Sequence, residues 1–184
     1  NGAKVSKIKC FQFAQQTLDK AKFSDWKEMY ENVWSRPESA RYMAWKITTT
    51  QEDAKLRIMR TIEFQNNHDV YTVYEKKSGK AIGFAGVEKI KPFVYQETGI
   101  CLGPDYVGKG FGTQILEALI QYCKQEFDAK KFFYSTRKEN EASNRLAKKF
   151  GFTLVSSEKK IDNRNGQVYE LLKYSLDYSF PSMR

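Results

Sequence analysis

The 184 residues suffice for one ordinary domain with a substantial core, and 41% hydrophobic with 15% aromatic residues excludes global disorder. No apolar run approaches the roughly 20 residues that cross a bilayer, and no secretory leader opens the chain, so a cytoplasmic protein without membrane contact is expected. The net charge of +9 raises nucleic acid as a partner, but the basic residues are scattered in pairs such as Lys76/Lys77, Lys130/Lys131 and Lys159/Lys160; with no helix-turn-helix, RRM or KH signature, no direct nucleic-acid binding is expected.

Asn1-Gly2-Ala3 reads as an appended remnant, and residues 5–13 as a first strand. Ser24 precedes a helical pattern over 25–34, with Trp26, Met29, Tyr30 and Val33 along one face. Residues 36–47 follow, carrying Pro37, Tyr42, Met43 and Trp45. Thr49/Thr50 with Asp53 is a capping signal for a second helix reaching about Gln65, with Ala54, Ile58 and Ile62 inward. Residues 66–69 are a loop, and 70–75 and 80–90 alternate as strands around the turn Lys77-Ser78-Gly79-Lys80. Lys91-Pro92-Phe93 breaks the chain before a strand ending at Leu102. Phe111, Ile115, Leu119, Tyr122/Cys123 and Phe127 recur at helical spacing over about four turns. Residues 131–136 are a short strand, and Asn140 caps a helix ending at Gly151. Strands over 152–159 and 167–177 are joined by a loop holding the tight-turn pair Asn165-Gly166. This order predicts a single α/β or α+β domain over 1–184, without repeats or linkers.

The segment Pro104-Asp105-Tyr106-Val107-Gly108-Lys109-Gly110-Phe111-Gly112-Thr113 lies where the strand ending at Leu102 hands over to the long helix. The first amides of a helix lack internal partners, and its dipole favours an anion. Glycines let a bulky phosphate approach the backbone, so the segment reads as a pyrophosphate-binding loop. Its spacing, Gly108-x-Gly110-x-Gly112, is neither the G-x-G-x-x-G of dinucleotide folds nor a Walker loop.

The spacing instead resembles motif A of the GNAT N-acetyltransferases, Q/R-x-x-G-x-G/A, with Gly110 and Gly112 as its glycines. Asn140-Glu141-Ala142-Ser143-Asn144-Arg145-Leu146, running on to Gly151-Phe152, is similar to the family's N-x-x-[AS]-x-x-L-x-x-x-G-F segment. With the Pro104-x-Tyr106 lead-in, the resemblance is to the branch holding the ribosomal-protein N-terminal (Rim-type) acetyltransferases. It implies a GNAT fold: a mixed central sheet, splayed at the acetyl-CoA site, with helices on both faces. It also implies transfer of acetyl from acetyl-CoA to a primary amine, of a protein N-terminus or a small molecule, by direct attack in a ternary complex. Val107 departs from the family's Gln or Arg, leaving the pyrophosphate to the backbone of Val107, Gly108, Lys109, Gly110, Phe111, Gly112 and Thr113.

The same resemblance implies that the Leu102 amide polarises the thioester carbonyl and that Asn140 bonds the pantetheine arm, a role compatible with a plain helix cap. The tyrosine that many GNAT enzymes use as acid is replaced by Ala147, and the Rim-type serine is Ser143, the first candidate to protonate the departing thiolate. Asp162, in the loop before the last strand, is the first candidate base, although an Asp there also serves turns. Glu97 is the second and His68 a distant third. Trp26 and Tyr30 are expected to pack the helices, and Tyr42 and Trp45 to line an acceptor cleft. Cys10, Cys101 and Cys123 show no C-x-x-C spacing, and with His68 the sole histidine no metal is expected. An acyl-cysteine at Cys101 is conceivable, but nothing nearby in sequence would activate its thiol. The competing reading is a catalytically silent CoA-binding regulatory module, suggested by Val107 and Ala147. Either a monomer or a homodimer is compatible with the chain.

Overall fold

The computed structural model describes residues 10–12 and 15–178. The chain divides into two compact units, one built on the residues up to Glu88 with Thr98–Leu119, the other on Lys89–Glu97 with the residues from Ile120 onward.

In the first unit β1 (Cys10–Gln12), β2 (Gln16–Asp19), β3 (Val70–Glu75) and β4 (Ala81–Lys91) pair successively and antiparallel. The second half of β5 (Val94–Leu102) runs beside β4, where the Gly103 amide donates to Ile82 O at 2.8 Å. The strand expected over 5–13 lies outside the described residues except for 10–12. β2 escaped the sequence reading because it buries Gln16 beside Leu18, and a buried glutamine breaks the apolar alternation that marks a strand.

The helix expected over 25–34 is a composite. A 3-10 turn (Phe23–Asp25) leads into α1 (Trp26–Met29) and then a π turn (Tyr30–Trp34), closed by the Ser35 amide on Tyr30 O at 3.0 Å. Its cap is Lys22 rather than Ser24, the Lys22 amide donating to the Asp25 carboxylate at 2.8 Å. The widened turn buries both Val33 and Trp34, as π turns near functional sites often re-aim side chains. A one-turn helix α2 (Pro37–Ala40) follows, too short for any periodic signal. α3 (Gln51–Asn66) starts as expected, Thr50 Oγ1 accepting from the Asp53 amide at 3.1 Å, with Ala54 and Ile58 fully buried. Met29, Val33, Trp34, Ile58 and Cys101 share one core, against which Trp26, Tyr30, Met43 and Trp45 pack.

In the second unit the first half of β5 pairs in parallel with β6 (Lys131–Arg137), from Val94–Lys131 to Gln96–Phe133. β6 pairs antiparallel with β8 (Val168–Asp177), and β8 with β7 (Thr153–Ile161). Parallel and antiparallel ladders together make the strand pairing mixed, as the expected fold class requires. α4 (Phe111–Phe127) buries Ile115 and Leu119 in the first unit and Ile120, Tyr122 and Cys123 in the second. α5 (Glu141–Lys149) is capped by Asn140 and followed by Gly151 at φ 80°, a left-handed position suited to glycine. Phe152 packs against both Phe132 and Tyr134 with centroids 6.3 and 6.0 Å apart. Among the described residues no helix is long and apolar enough to cross a membrane.

Candidate active site

The glycine loop lies wholly in the first unit. One 3-10 turn (Pro104–Tyr106) leaves β5, and Arg36 holds Asp105 from the other side at 3.1 Å. Gly108 and Gly110 sit at φ 76° and 84°, left-handed conformations that other residues adopt only with strain. α4 then starts at Phe111, and the Gln114 amide makes the first turn's bond to Gly110 O at 3.2 Å. The amides of Phe111, Gly112 and Thr113 precede that bond and are the helix's open donors. Gly112 has a negative φ, and a Cβ built there meets nothing of the protein within 4 Å. Neither backbone nor packing demands glycine there; a large group lying against the helix start would. The loop thus fits a pyrophosphate, and the Val107 side chain beside it is 58% exposed.

Three glutamines that the sequence reading missed hold this helix start. Gln16, fully buried on β2, donates through Nε2 to Phe111 O at 3.1 Å, and Gln114 Nε2 donates to Gln15 Oε1 at 3.2 Å. Lys109 sits over the Tyr106 ring at 5.6 Å. Gly112→Ala should leave the melting temperature unchanged or raised, since alanine is favoured over glycine in a helix by about 0.5–1 kcal/mol. Calorimetry should find acetyl-CoA bound about tenfold more weakly or worse; an unaltered affinity would dissociate the loop from the cofactor. Gly110 serves this test poorly, because any side chain at φ 84° strains the backbone as well.

Leu102 ends β5. Because Gly103 N–H and Cys101 O face β4, the amide and carbonyl of Leu102 point the other way, the carbonyl lying 3.5 Å from Ser39 Oγ. Cys101 is no nucleophile: burial pushes its thiol up to about 12, and Sγ donates to Ser39 O at 3.5 Å. His68 stacks on Phe64 and caps the end of α3 through Nδ1 on Phe64 O at 2.8 Å. Trp26 and Tyr30 pack as expected, and Trp45 both packs on the core and lines a cavity.

The second unit brings Glu97, Tyr134 and Ser143 near one another. Ser143 opens α5, its amide bonded to Asn140 Oδ1 at 3.3 Å and its hydroxyl sharing a hydrogen bond with the Tyr134 phenol. Tyr134 is 4% exposed; burial holds its proton on well above the usual range, the nearby Glu97 charge adds to this, and the Ser143 bond opposes it. The parallel register explains the grouping, since Glu97 and Tyr134 each follow the last paired residues, Gln96 and Phe133. Sequence reasoning missed Tyr134 because it reads as one more apolar residue of Phe132-Phe133-Tyr134. Asn144, also missed, pins the β6–α5 connection: Nδ2 donates to Asn140 O at 2.8 Å, and Oδ1 accepts from the Tyr174 hydroxyl at 2.6 Å.

Asp162 is not among them. Arg137 reaches its carboxylate at 3.0 Å and Arg164 at 2.9 Å, and the Arg164 amide donates to Oδ1 at 3.0 Å. The Arg164 side chain above all, then its amide and Arg137, hold this carboxyl far below the usual range, so it is a poor proton acceptor. The residue offered as first candidate base closes the β7–β8 loop instead, where Gly166 N–H also donates to Asp162 O at 2.7 Å. Because the folded carboxyl titrates below its unfolded value of about 4, its stabilisation is complete above that value and is lost as pH falls through the folded one. Asp162→Asn should therefore lower the melting temperature at pH 7, with the gap to wild type closing in strong acid. The same variant should leave the pH–rate profile in place, and loss of an acid-side limb would restore Asp162 as the base.

The chain is similar to known proteins in sequence and in fold. The sequence signature of the acetyltransferase (GNAT) domain matches residues 16–153. The chain is 22% identical over 163 residues to the uncharacterized N-acetyltransferase p20 of Bacillus licheniformis, covering 87% of this chain and 91% of that one. It is 26% identical over 121 residues to the N-alpha-acetyltransferase RimI of Mycobacterium tuberculosis, covering 64% and 73%. Its fold matches that of RimL, a ribosomal L7/L12 alpha-N-protein acetyltransferase solved with coenzyme A, at a TM-score of 0.74 and 22% identity over 90% of this chain and 95% of that one. With the domain signature spanning well over half its length, the chain belongs to the GNAT family of acyl-CoA-dependent N-acetyltransferases.

Proposed function

We propose that this chain, acting as a single acetyltransferase domain, moves acetyl from acetyl-CoA to a primary amine of a protein N-terminus or a small molecule by direct attack. The observation that supports this reading is the β5–β6 register, which sets Glu97 and Tyr134 just past the last paired residues, with Ser143 of the first turn of α5 beside the Tyr134 phenol. A silent CoA-binding module would have no use for such a group, which is why the catalytic reading is favoured. Acetyl-CoA supplies the activated acetyl group and a thiolate leaving group. The open amides of residues 108–113 hold its pyrophosphate, with Val107 and Lys109 contributing backbone, and Asn140 bonds the pantetheine arm. The Leu102 amide, directed away from β4, donates to the thioester carbonyl as charge develops there.

Glu97 replaces Asp162 as the general base, taking the amine's proton directly or through one water. Ser143 donates a proton to the departing sulfur, and the Tyr134 phenol behind it orients that hydroxyl. The test measures free-thiol release from acetyl-CoA with peptides of differing N-termini, polyamines and aminoglycosides. Amine-dependent thiol release is the expected result. Thermal stabilisation by acetyl-CoA with no release for any amine would favour the silent module instead.

A further inference from the structure

A cavity of about 530 Å³ in the first unit has a lining that the acetyl-transfer chemistry does not use. Arg57 of α3 forms part of its wall, stacked between the indoles of Trp34 and Trp45 with its guanidinium carbon 4.7 Å from each ring. Arg57 Nη1 donates to Thr48 Oγ1 at 3.1 Å, and among the described residues no carboxylate pairs with Arg57. Lys46 and Arg60 add two more cations, Phe84 adds an apolar wall, and none of the lining residues is acidic. Three like charges around one hollow repel one another, and partial burial draws the Arg57 guanidinium down to about 10, leaving it cationic at neutral pH. A guanidinium oriented by aromatic stacking, with donors left over, matches a carboxylate or phosphate. The volume lies in the range of small-molecule sites.

The same wall reaches the strand at which transfer occurs. Trp34 shares a buried core with Cys101, Trp45 packs against that core, and Cys101 directly precedes Leu102. We propose that this cavity receives the anionic group of the acceptor, so that the acceptor is an amine also bearing a carboxylate or phosphate on a flat or apolar body. The assignment rests on the acetyl transfer proposed above.

Two arms test it with the full chain. In the first, phenylacetate, phenyl phosphate and neutral benzyl alcohol are titrated against tryptophan fluorescence, which Trp34 and Trp45 report. The two anions should quench saturably and benzyl alcohol should not, and comparing the anions identifies which headgroup is preferred. In the second, acetylation of 4-(aminomethyl)benzoate is compared with that of 4-(aminomethyl)benzamide, which matches it in shape without the charge. The carboxylate should have about a tenfold higher kcat/KM, expressed in KM.

Arg57→Gln should abolish both preferences, Arg57→Lys should retain part of each, and the exposed Arg60→Gln should weaken them without disturbing the fold. Acetyl-CoA affinity should be unchanged in all three variants. Equal kcat/KM for the two acceptors, or a preference surviving in both Arg57→Gln and Arg60→Gln, would overturn the inference alone. Saturable anion binding with no transfer to any amine would overturn the acetyl-transfer reading, and the acceptor assignment with it.

Discussion

Glu97→Gln is expected to lower kcat/KM at neutral pH by about 10²–10⁴-fold, the usual contribution of a positioned general base. Acetyl-CoA affinity should be unaffected, because the base acts on the incoming amine and not on the cofactor. The acid side of the pH–rate profile should flatten in the variant. Glutamine keeps the shape and hydrogen-bonding capacity of the side chain but cannot accept the amine's proton, so the substitution isolates that function. Asp162→Asn is the matched control, removing a carboxylate whose lone pairs already serve Arg137 and Arg164. If the control lost the acid limb and Glu97→Gln kept it, the two assignments would exchange.

Ser143→Ala should reduce kcat by about 10²-fold, the lower end for general acid help. The acetyl-CoA KM should change little, since the hydroxyl matters only once charge develops on sulfur. Tyr134→Phe should give a loss of the same order, because it removes the phenol that bonds Ser143. The double variant should lose less than the product of the two single effects, the pattern expected of groups acting through one hydrogen bond. Near-wild-type turnover by Ser143→Ala, with chemistry shown to be rate-limiting, would reduce Ser143 to a residue of the helix start. Multiplicative losses in the double variant would separate Tyr134 from the proton path.

The elements most legible in the sequence are those whose signals are local. α4 and α5 were readable because apolar spacing, an Asn cap and a terminal glycine act within a few residues of one another. The glycine loop was readable for the same reason, since left-handed turns at Gly108 and Gly110 before an open helix end are local backbone chemistry. The first helix was read as continuous because a π turn inserts a residue without altering composition, and α2 passed unseen because four residues carry no period.

By itself the sequence determined the α/β or α+β class, the glycine loop ahead of α4 and the family resemblance, all of which rest on patterns written within short spans of chain. Tertiary structure alone decided which titratable groups meet. Asp162 and Arg137 are 25 residues apart, and the ion pair between them already occupies the carboxylate of that turn aspartate. Glu97 and Tyr134 come together through a parallel register that no local period encodes. Gln16 supports the start of α4 across 95 residues, and Arg57 lies between Trp34 and Trp45 from separate segments. Hydrophobic periodicity specifies which face of an element is buried. Chemistry depends on what that face meets, and this follows from strand register and packing.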